Sequence, residues 1–237
     1  MKSTLVVGRC WKILDFLIPS VDSVINYNDH VDFIIIDNKS TRSHLIQSYC
    51  KHLLKNKSIY AYIQMYKNYF GNVWLINKYL LDIYKKYEYL CFTDLDLKII
   101  DPQNNWLKKC SMLLQNNNFI GAVSVQLQRT MHIDHKNDVF IENIPQEKLP
   151  NIDFWNINTD GWFYTVRTKD FMEFISCNMG QNGPGMHGYN AFCEYRGLMY
   201  GRTNIYAEHL GWLRYDVEYA GAYEETGVKF GPEFQRY

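Results

Sequence analysis

The chain reads as an α/β domain on a mostly parallel central sheet flanked by helices. Three observations carry that reading. Short apolar runs alternate with stretches of helical spacing through residues 1–100. No Asn-Gly hairpin turn separates those runs, so crossover helices join consecutive strands in the parallel sense. The third is the run Tyr89–Phe92, which leads into Asp94-Leu95-Asp96. In an open α/β sheet, ligands bind at the carboxyl ends of the strands.

The elements follow in order. Thr4–Val7 is a short β run ending at Gly8 and Arg9. Trp11, Leu14, Leu17, Ile18, Val21, Val24 and Ile25 recur at helical spacing, and Pro19 predicts two helical pieces or a kink. Val31–Ile36 is a second strand and runs into Asp37. Ser40 or Thr41 is placed to cap a helix reaching about Leu54. Ile59–Ile63 is a third strand, Trp74–Lys86 a helix, and Tyr89–Phe92 the fourth strand. The second half is mixed. Trp106–Leu114 reads as helix and Phe119–Leu127 as strand. The polar stretch 129–153 reads as an excursion. Gly161–Val166 is a strand and Lys169–Ser176 a helix. Asn178–Gly188, with four Gly and one Pro, is a loop, followed by a short helix over Tyr189–Tyr195 and a strand over Leu198–Ala207. We expect a single domain over 1–237, with a nucleotide-binding half at 1–100 and an acceptor-binding half at 101–237.

Composition narrows the function. Hydrophobic residues make up 47% of the chain, enough for a sizeable core. The formal net charge is zero, against the basic excess of a nonspecific nucleic-acid binder. The six Cys form no Cys-x-x-Cys or zinc spacing and read as free thiols of a reducing compartment. No apolar stretch reaches membrane-span length, and Met1–Arg9 lacks a signal-peptide core, so a soluble, cytoplasmic protein is expected. Aromatic residues, at 16%, offer flat apolar faces with polar edges, a surface that sugars and bases use and that cores use equally.

Two carboxylates around one residue at a strand end repel each other unless positive charge sits between them. A divalent cation holding a diphosphate meets that need, because Mg²⁺ and Mn²⁺ take one or two carboxylates plus phosphate oxygens. The competing reading of Asp94 and Asp96 is a solvated strand-to-loop turn.

Four segments, in order, resemble the nucleotide-sugar-dependent glycosyltransferases of the GT-A fold, family-2-like. Ile36-Asp37-Asn38-Lys39-Ser40 is similar to their Asp-Asp/Asn-x-Ser segment. Asn68-Tyr69-Phe70-Gly71-Asn72 resembles the element that closes over the nucleoside. Asp94-Leu95-Asp96 matches the D-x-D motif, and His209-Leu210-Gly211-Trp212 resembles the late His-x-Gly element. The resemblance implies a Rossmann-like sheet and a nucleoside-diphosphate sugar as donor, most often linked to uracil. It implies Mn²⁺ or Mg²⁺ as cofactor and a glycan or other hydroxyl-bearing acceptor, with no nucleic acid as partner.

The resemblance also assigns roles. Asp37 contacts the donor base; its other reading is a helix cap. Asn68 and Asn72 face the nucleoside. Asp94 lies on the ribose and metal side, Asp96 ligates the metal, and His209 completes the coordination unless it is structural. Arg9 contacts the diphosphate or is a surface residue. The family's usual acidic base before the short helix is replaced by Gly185-Met186-His187-Gly188. The candidate bases are therefore Asp160, then His187, then Glu194, with Asp160 alternatively a turn residue before Gly161. Trp162 and Trp212 line the sugar or acceptor site or belong to the core, and residues 213–237 are expected to order over bound donor. A nucleotidyltransferase shares this sheet but carries a Gly-rich basic loop after the first strand, which Val6-Val7-Gly8-Arg9-Cys10-Trp11 lacks. A metal-dependent phosphatase or nuclease and a non-enzymatic, lectin-like module are the remaining alternatives.

Overall fold

The computed structural model describes residues 3–11, 14–40, 43–67, 78–127, 163–177 and 186–210. Its elements are β1 (Thr4–Cys10), α1 (Leu14–Ile25), β2 (Val31–Asp37), α2 (Ser43–Lys55), β3 (Ala61–Gln64), α3 (Lys78–Tyr84), β4 (Tyr89–Asp94), β5 (Leu97–Ile99), α4 (Trp106–Asn116), β6 (Ile120–Leu127), β7 (Tyr164–Arg167), α5 (Thr168–Ser176), α6 (Met186–Tyr195) and β8 (Met199–His209).

All eight strands form one sheet in the order β3-β2-β1-β4-β7-β6-β8-β5. β3, β2, β1 and β4 are parallel, and β1, β2 and β4 have the apolar sequences of strands covered on both faces. β7 runs against both β4 and β6, and β8 runs parallel to β6. β5 closes the far edge against β8. The carboxyl ends of β1, β2, β4, β6 and β8 therefore lie along one edge. The amino ends of the reversed strands β7 and β5 join them there.

Period-two alternation sends side chains to two cores. Val6, Phe33, Ile35 and Cys91 face α1, α2 and α4, meeting Leu17, Val21, Ile46, Leu53 and Trp106. Leu5, Val7, Ile34, Phe92 and Val166 face the other way, onto Leu80, Tyr84, Phe171, Phe174 and Tyr189. That second layer is an aromatic stack: Phe92 and Phe171 lie 4.7 Å apart, and Phe174 meets Tyr189 edge-on at 5.3 Å.

Some elements depart from expectation. α1 runs from Leu14 to Ile25 with Pro19 inside it, where two pieces or a kink were expected. The lost backbone bond costs about 3 kcal/mol in an isolated helix. Here Leu17, Val21 and Val24, all buried on the sheet, hold the helix through that position. β5 was not anticipated, since three residues are too few to show a period. α6 starts at Met186, so His187 and Gly188 belong to the helix instead of the preceding loop. The Ser40 hydroxyl donates to Asp37, and Thr41, the other expected cap of α2, lies outside the described residues.

Two polar knots hold the second half to the first. Asn28 accepts from the Leu107 N–H at 2.9 Å and donates to the Val24 carbonyl, tying the start of α4 to the end of α1. Ser23 accepts from the Ile99 N–H, and Trp106 Nε1 donates to the Ser23 carbonyl. Arg167 donates to the carbonyls of Leu114 and Asn117 at the end of α4 and to Asp170. A buried guanidinium is tolerated because every contact accepts a hydrogen bond.

The β4–β5 reversal depends on a glycine. Leu95 is 3% exposed and packs over β1 at Gly8. A β-carbon at Gly8 would lie 2.5 Å from Leu95 Cδ2. Gly8→Ala is therefore expected to destabilise the fold by about 1–3 kcal/mol through overpacking. The double variant Gly8→Ala/Leu95→Ala should recover part of that loss. Urea midpoints check it, and additive losses in the double variant would show that the two residues do not meet.

All six cysteines are free, and all but Cys177 are buried. Burial, with the Asp37 carboxylate adding to it, pushes the Cys50 thiol up to about 12. Burial likewise raises Cys10, Cys91 and Cys193. At pH 8 these groups stay protonated and unreactive. Titration of the folded protein with a thiol-specific disulfide reagent should modify Cys177 first, and all six only in denaturant. Fast native modification of Cys10 or Cys50 would contradict the packing around Asp37.

Candidate active site

Among the described residues, the carboxyl edge of the sheet collects most of the polar side chains singled out above. β1 and β4 are in register with Arg9 opposite Asp94. In parallel neighbours that pairing sets the two side chains side by side on one face. Arg9 Nε donates to Asp94 Oδ1 at 2.7 Å, with the side chains 22% and 26% exposed. The chain then turns. The Leu95 N–H donates to the Arg9 carbonyl at 2.7 Å, and Leu95 drops into the core.

Asp96 follows on the side of the turn that meets β8. Leu97 pairs with His209, and the Leu210 N–H donates to the Asp96 carbonyl at 2.8 Å. This short antiparallel ladder brings His209 Nε2 to 3.7 Å from Asp96 Oδ2, with both side chains at most 17% exposed. Carboxylate and imidazole thus converge from residues far apart in sequence. Among the described residues, no three His, Cys, Asp or Glu side chains gather into one metal-binding group. Asp94 is drawn toward β1, and Asp96 toward β8.

Asp37, at the end of β2, is fully buried. Its Oδ1 accepts from the Ser40 N–H at 2.8 Å and the Ser40 hydroxyl at 2.5 Å. Its Oδ2 accepts from the Tyr62 hydroxyl at 3.0 Å. These bonds pin the turn after β2, in which Lys39 takes a left-handed φ of 59°. The carboxylate also drives up the Tyr62 phenol, second to burial itself.

Phe163 marks where β7 enters this edge. It is fully buried against Trp106, edge-on at 5.2 Å, with a left-handed φ of 42°. A bulky residue in that region carries roughly 1–3 kcal/mol of strain, here held in place by core packing.

Glu194 does not belong to this site. It sits in the last turn of α6 and accepts from the Tyr200 hydroxyl at 2.6 Å. Tyr200 is at the opposite end of β8 from His209, roughly 25–30 Å away along the strand. The helix runs back toward the amino edge, so its carboxylate at the end of the helix is carried away from the D-x-D turn. Asn68, Asn72, Asp160, Trp162, Trp212 and residues 213–237 lie outside the described residues, as does the side chain of His187.

Two interactions at this edge were missed from the sequence. The Arg9–Asp94 pair needs strand register, which no local pattern encodes. The Tyr62–Asp37 bond needs β2 and β3 to be neighbours, a pairing the doubly wound pattern does allow.

No protein-family model and no curated protein matches the chain in sequence. Solved structures do match in shape. GalNAc-T7 with UDP, GalNAc and Mn²⁺ aligns with a TM-score of 0.59 at 12% identity, over 97% of this chain and 52% of that one. The mannosyltransferase PcManGT of Pyrobaculum calidifontis, in complex with GDP-Man and Mn²⁺, gives 0.58 at 11% identity, over 89% and 57%. TarS of S. aureus gives 0.53 at 13% identity, over 98% and 41%. The chain thus spans about half the length, or less, of these three proteins. A Bacillus anthracis protein described as a glucose-1-phosphate thymidylyltransferase aligns at 0.56 and 12% identity, over 98% of this chain and 99% of that one. Together with the strand order, these likenesses give the chain a GT-A-type, Rossmann-like α/β fold.

Proposed function

We propose that the chain is a metal-dependent glycosyltransferase domain that takes a sugar from a nucleoside-diphosphate donor, UDP-linked, to a hydroxyl of a glycan or other acceptor, with inversion. The observation that carries this reading is the approach of Asp96 and His209 at the carboxyl edge, built by the β5–β8 ladder. A Mn²⁺-type ion with bonds of about 2.1 Å holds neighbouring ligand atoms roughly 3 Å apart, so a small closure of this pair suffices. One carboxylate and one imidazole suit Mn²⁺ better than Mg²⁺. The residues fit the group.

When bound, such an ion stabilises the charge that develops on the departing diphosphate. The chain's own residues orient the reactants. Asp96 and His209 would hold the ion that meets the donor's diphosphate end, and Asp37 braces the turn after β2 on the side of the base. The acceptor hydroxyl must lose a proton on the opposite face of the sugar. Asp160 is the base in this reading. Its support is its position three residues before Phe163, whose end of β7 lies at the same edge. The first half of the chain, with His209 from the second, serves the donor, and the rest of the second half the acceptor.

A nucleotidyltransferase is the second reading. Its support is the full-length likeness to the thymidylyltransferase. Against it stands Gly8-Arg9-Cys10-Trp11 after β1, where a Gly-rich basic loop for a triphosphate is expected.

Calorimetric titration with a panel of nucleoside diphosphates, with and without Mn²⁺, tests the proposal. One diphosphate, UDP, should bind only with the metal. Asp96→Ala and His209→Ala should each weaken that binding about tenfold or more while the unfolding transition stays near wild type, because both residues lie at a strand end and not in the core. Tight binding of a triphosphate, with pyrophosphate released from a sugar 1-phosphate mixture, would move the assignment to nucleotidyl transfer. No metal-dependent binding of any nucleotide would sink both readings.

A further inference from the structure

At the donor site proposed above, the Arg9 guanidinium pairs with the first carboxylate of the D-x-D turn. A cation at this turn could draw on both carboxylates, yet Asp94 is already met by a guanidinium. We propose that Arg9 holds Asp94 out of the cation's coordination, so that the divalent ion enters only together with the nucleoside diphosphate. This inference rests on the donor site being as proposed.

The geometry that carries it is the register of β1 and β4, which sets Arg9 against Asp94 before any ligand arrives. Nε and Oδ1 lie 2.7 Å apart, and both side chains are about three-quarters buried, so water screens the pair only in part. The turn separates the carboxylates further. Leu95 is locked in the core, Asp94 leans to β1, and Asp96 leans to His209 on β8.

The pairing then decides the order of binding. With Asp94 tied to Arg9, the D-x-D turn and β8 leave the ion one carboxylate, Asp96, and one imidazole, His209. Two such ligands do little to strip water from a divalent ion, and such ions dehydrate reluctantly. The diphosphate of a nucleotide sugar brings the missing negative charge and its own oxygen ligands. Arg9 is thus a positioning residue. It ties metal affinity to the presence of donor and keeps the edge from filling with a bare cation.

The experiment follows free Mn²⁺ by its electron spin resonance signal, in titrations of the protein with Mn²⁺ alone and with Mn²⁺ plus the selected diphosphate. Wild type should bind Mn²⁺ alone weakly and the pair tightly. Arg9→Gln frees Asp94 and should bind Mn²⁺ alone about tenfold tighter than wild type, a modest share of what one uncompensated charge contributes near a protein surface. Arg9→Lys keeps the charge and should behave as wild type. Arg9→Gln/Asp94→Asn should return to the wild-type value, showing that the gain runs through Asp94. A folding defect lowers affinity, so it cannot produce the gain. If wild type binds Mn²⁺ with the diphosphate and Arg9→Gln gains nothing for Mn²⁺ alone, the inference is overturned and the donor site stands. If wild type binds neither, the donor site itself is wrong, and the inference falls with it.

Discussion

The burial of one leucine organises this edge of the protein. Leu95 sits between two carboxylates, and only the missing side chain of Gly8 lets it descend onto β1. With Leu95 buried, the flanking residues have little freedom. Asp94 stays on the last rung of β4 beside Arg9, and Asp96 begins the ladder to β8. A hydrophobic contact thus sets the direction of two charges. An apolar anchor suits this task, because burying Leu95 against the sheet contributes roughly 2 kcal/mol without a competing pull on either carboxylate.

The anchor works because its surroundings are fixed from several sides. β5 is only three residues long and would not persist alone, but Ser23 of α1 accepts from the Ile99 N–H and β8 pairs with it along its length. α4 is tied to the same helix through Asn28 and Trp106. His209 therefore reaches Asp96 across the β5–β8 ladder, with Asp96 in the tight turn that leads into β5. Sites built on strands and helices hold their geometry better than sites built on loops.

The parallel half was legible because strands covered on both faces leave long apolar runs, and those at β1, β2 and β4 lie within a few residues of where the sequence puts them. The D-x-D turn was legible because it interrupts such a run. What stayed hidden depends on register and partners. Arg9 and Asp94 are 85 residues apart, and nothing local announces that they touch. β5 was too short for any period, and at Pro19 tertiary packing keeps one helix where two pieces were one of the alternatives. Glu194 was the third candidate base, but the direction of α6 carries it to the opposite end of β8 from His209. Asp37 was read correctly as a strand-end carboxylate. Its full burial under Ser40 and Tyr62 follows from the pairing of β2 with β3.

The guanidinium of Arg167 has a consequence for the order in which the chain becomes structured during synthesis. It caps the carbonyls of Leu114 and Asn117, which precede it by 53 and 50 residues. Until Arg167 has left the ribosome, the end of α4 has no such cation to hold it. At roughly 5–20 residues per second, that interval lasts some seconds. For those seconds the nascent chain has β1 to β4 in hand, but the open side of β4 still awaits β7. An unpaired strand is a site for wrong pairing. The arrival of Arg167 resolves both problems at once, because β7, which ends in it, is the strand that pairs with β4.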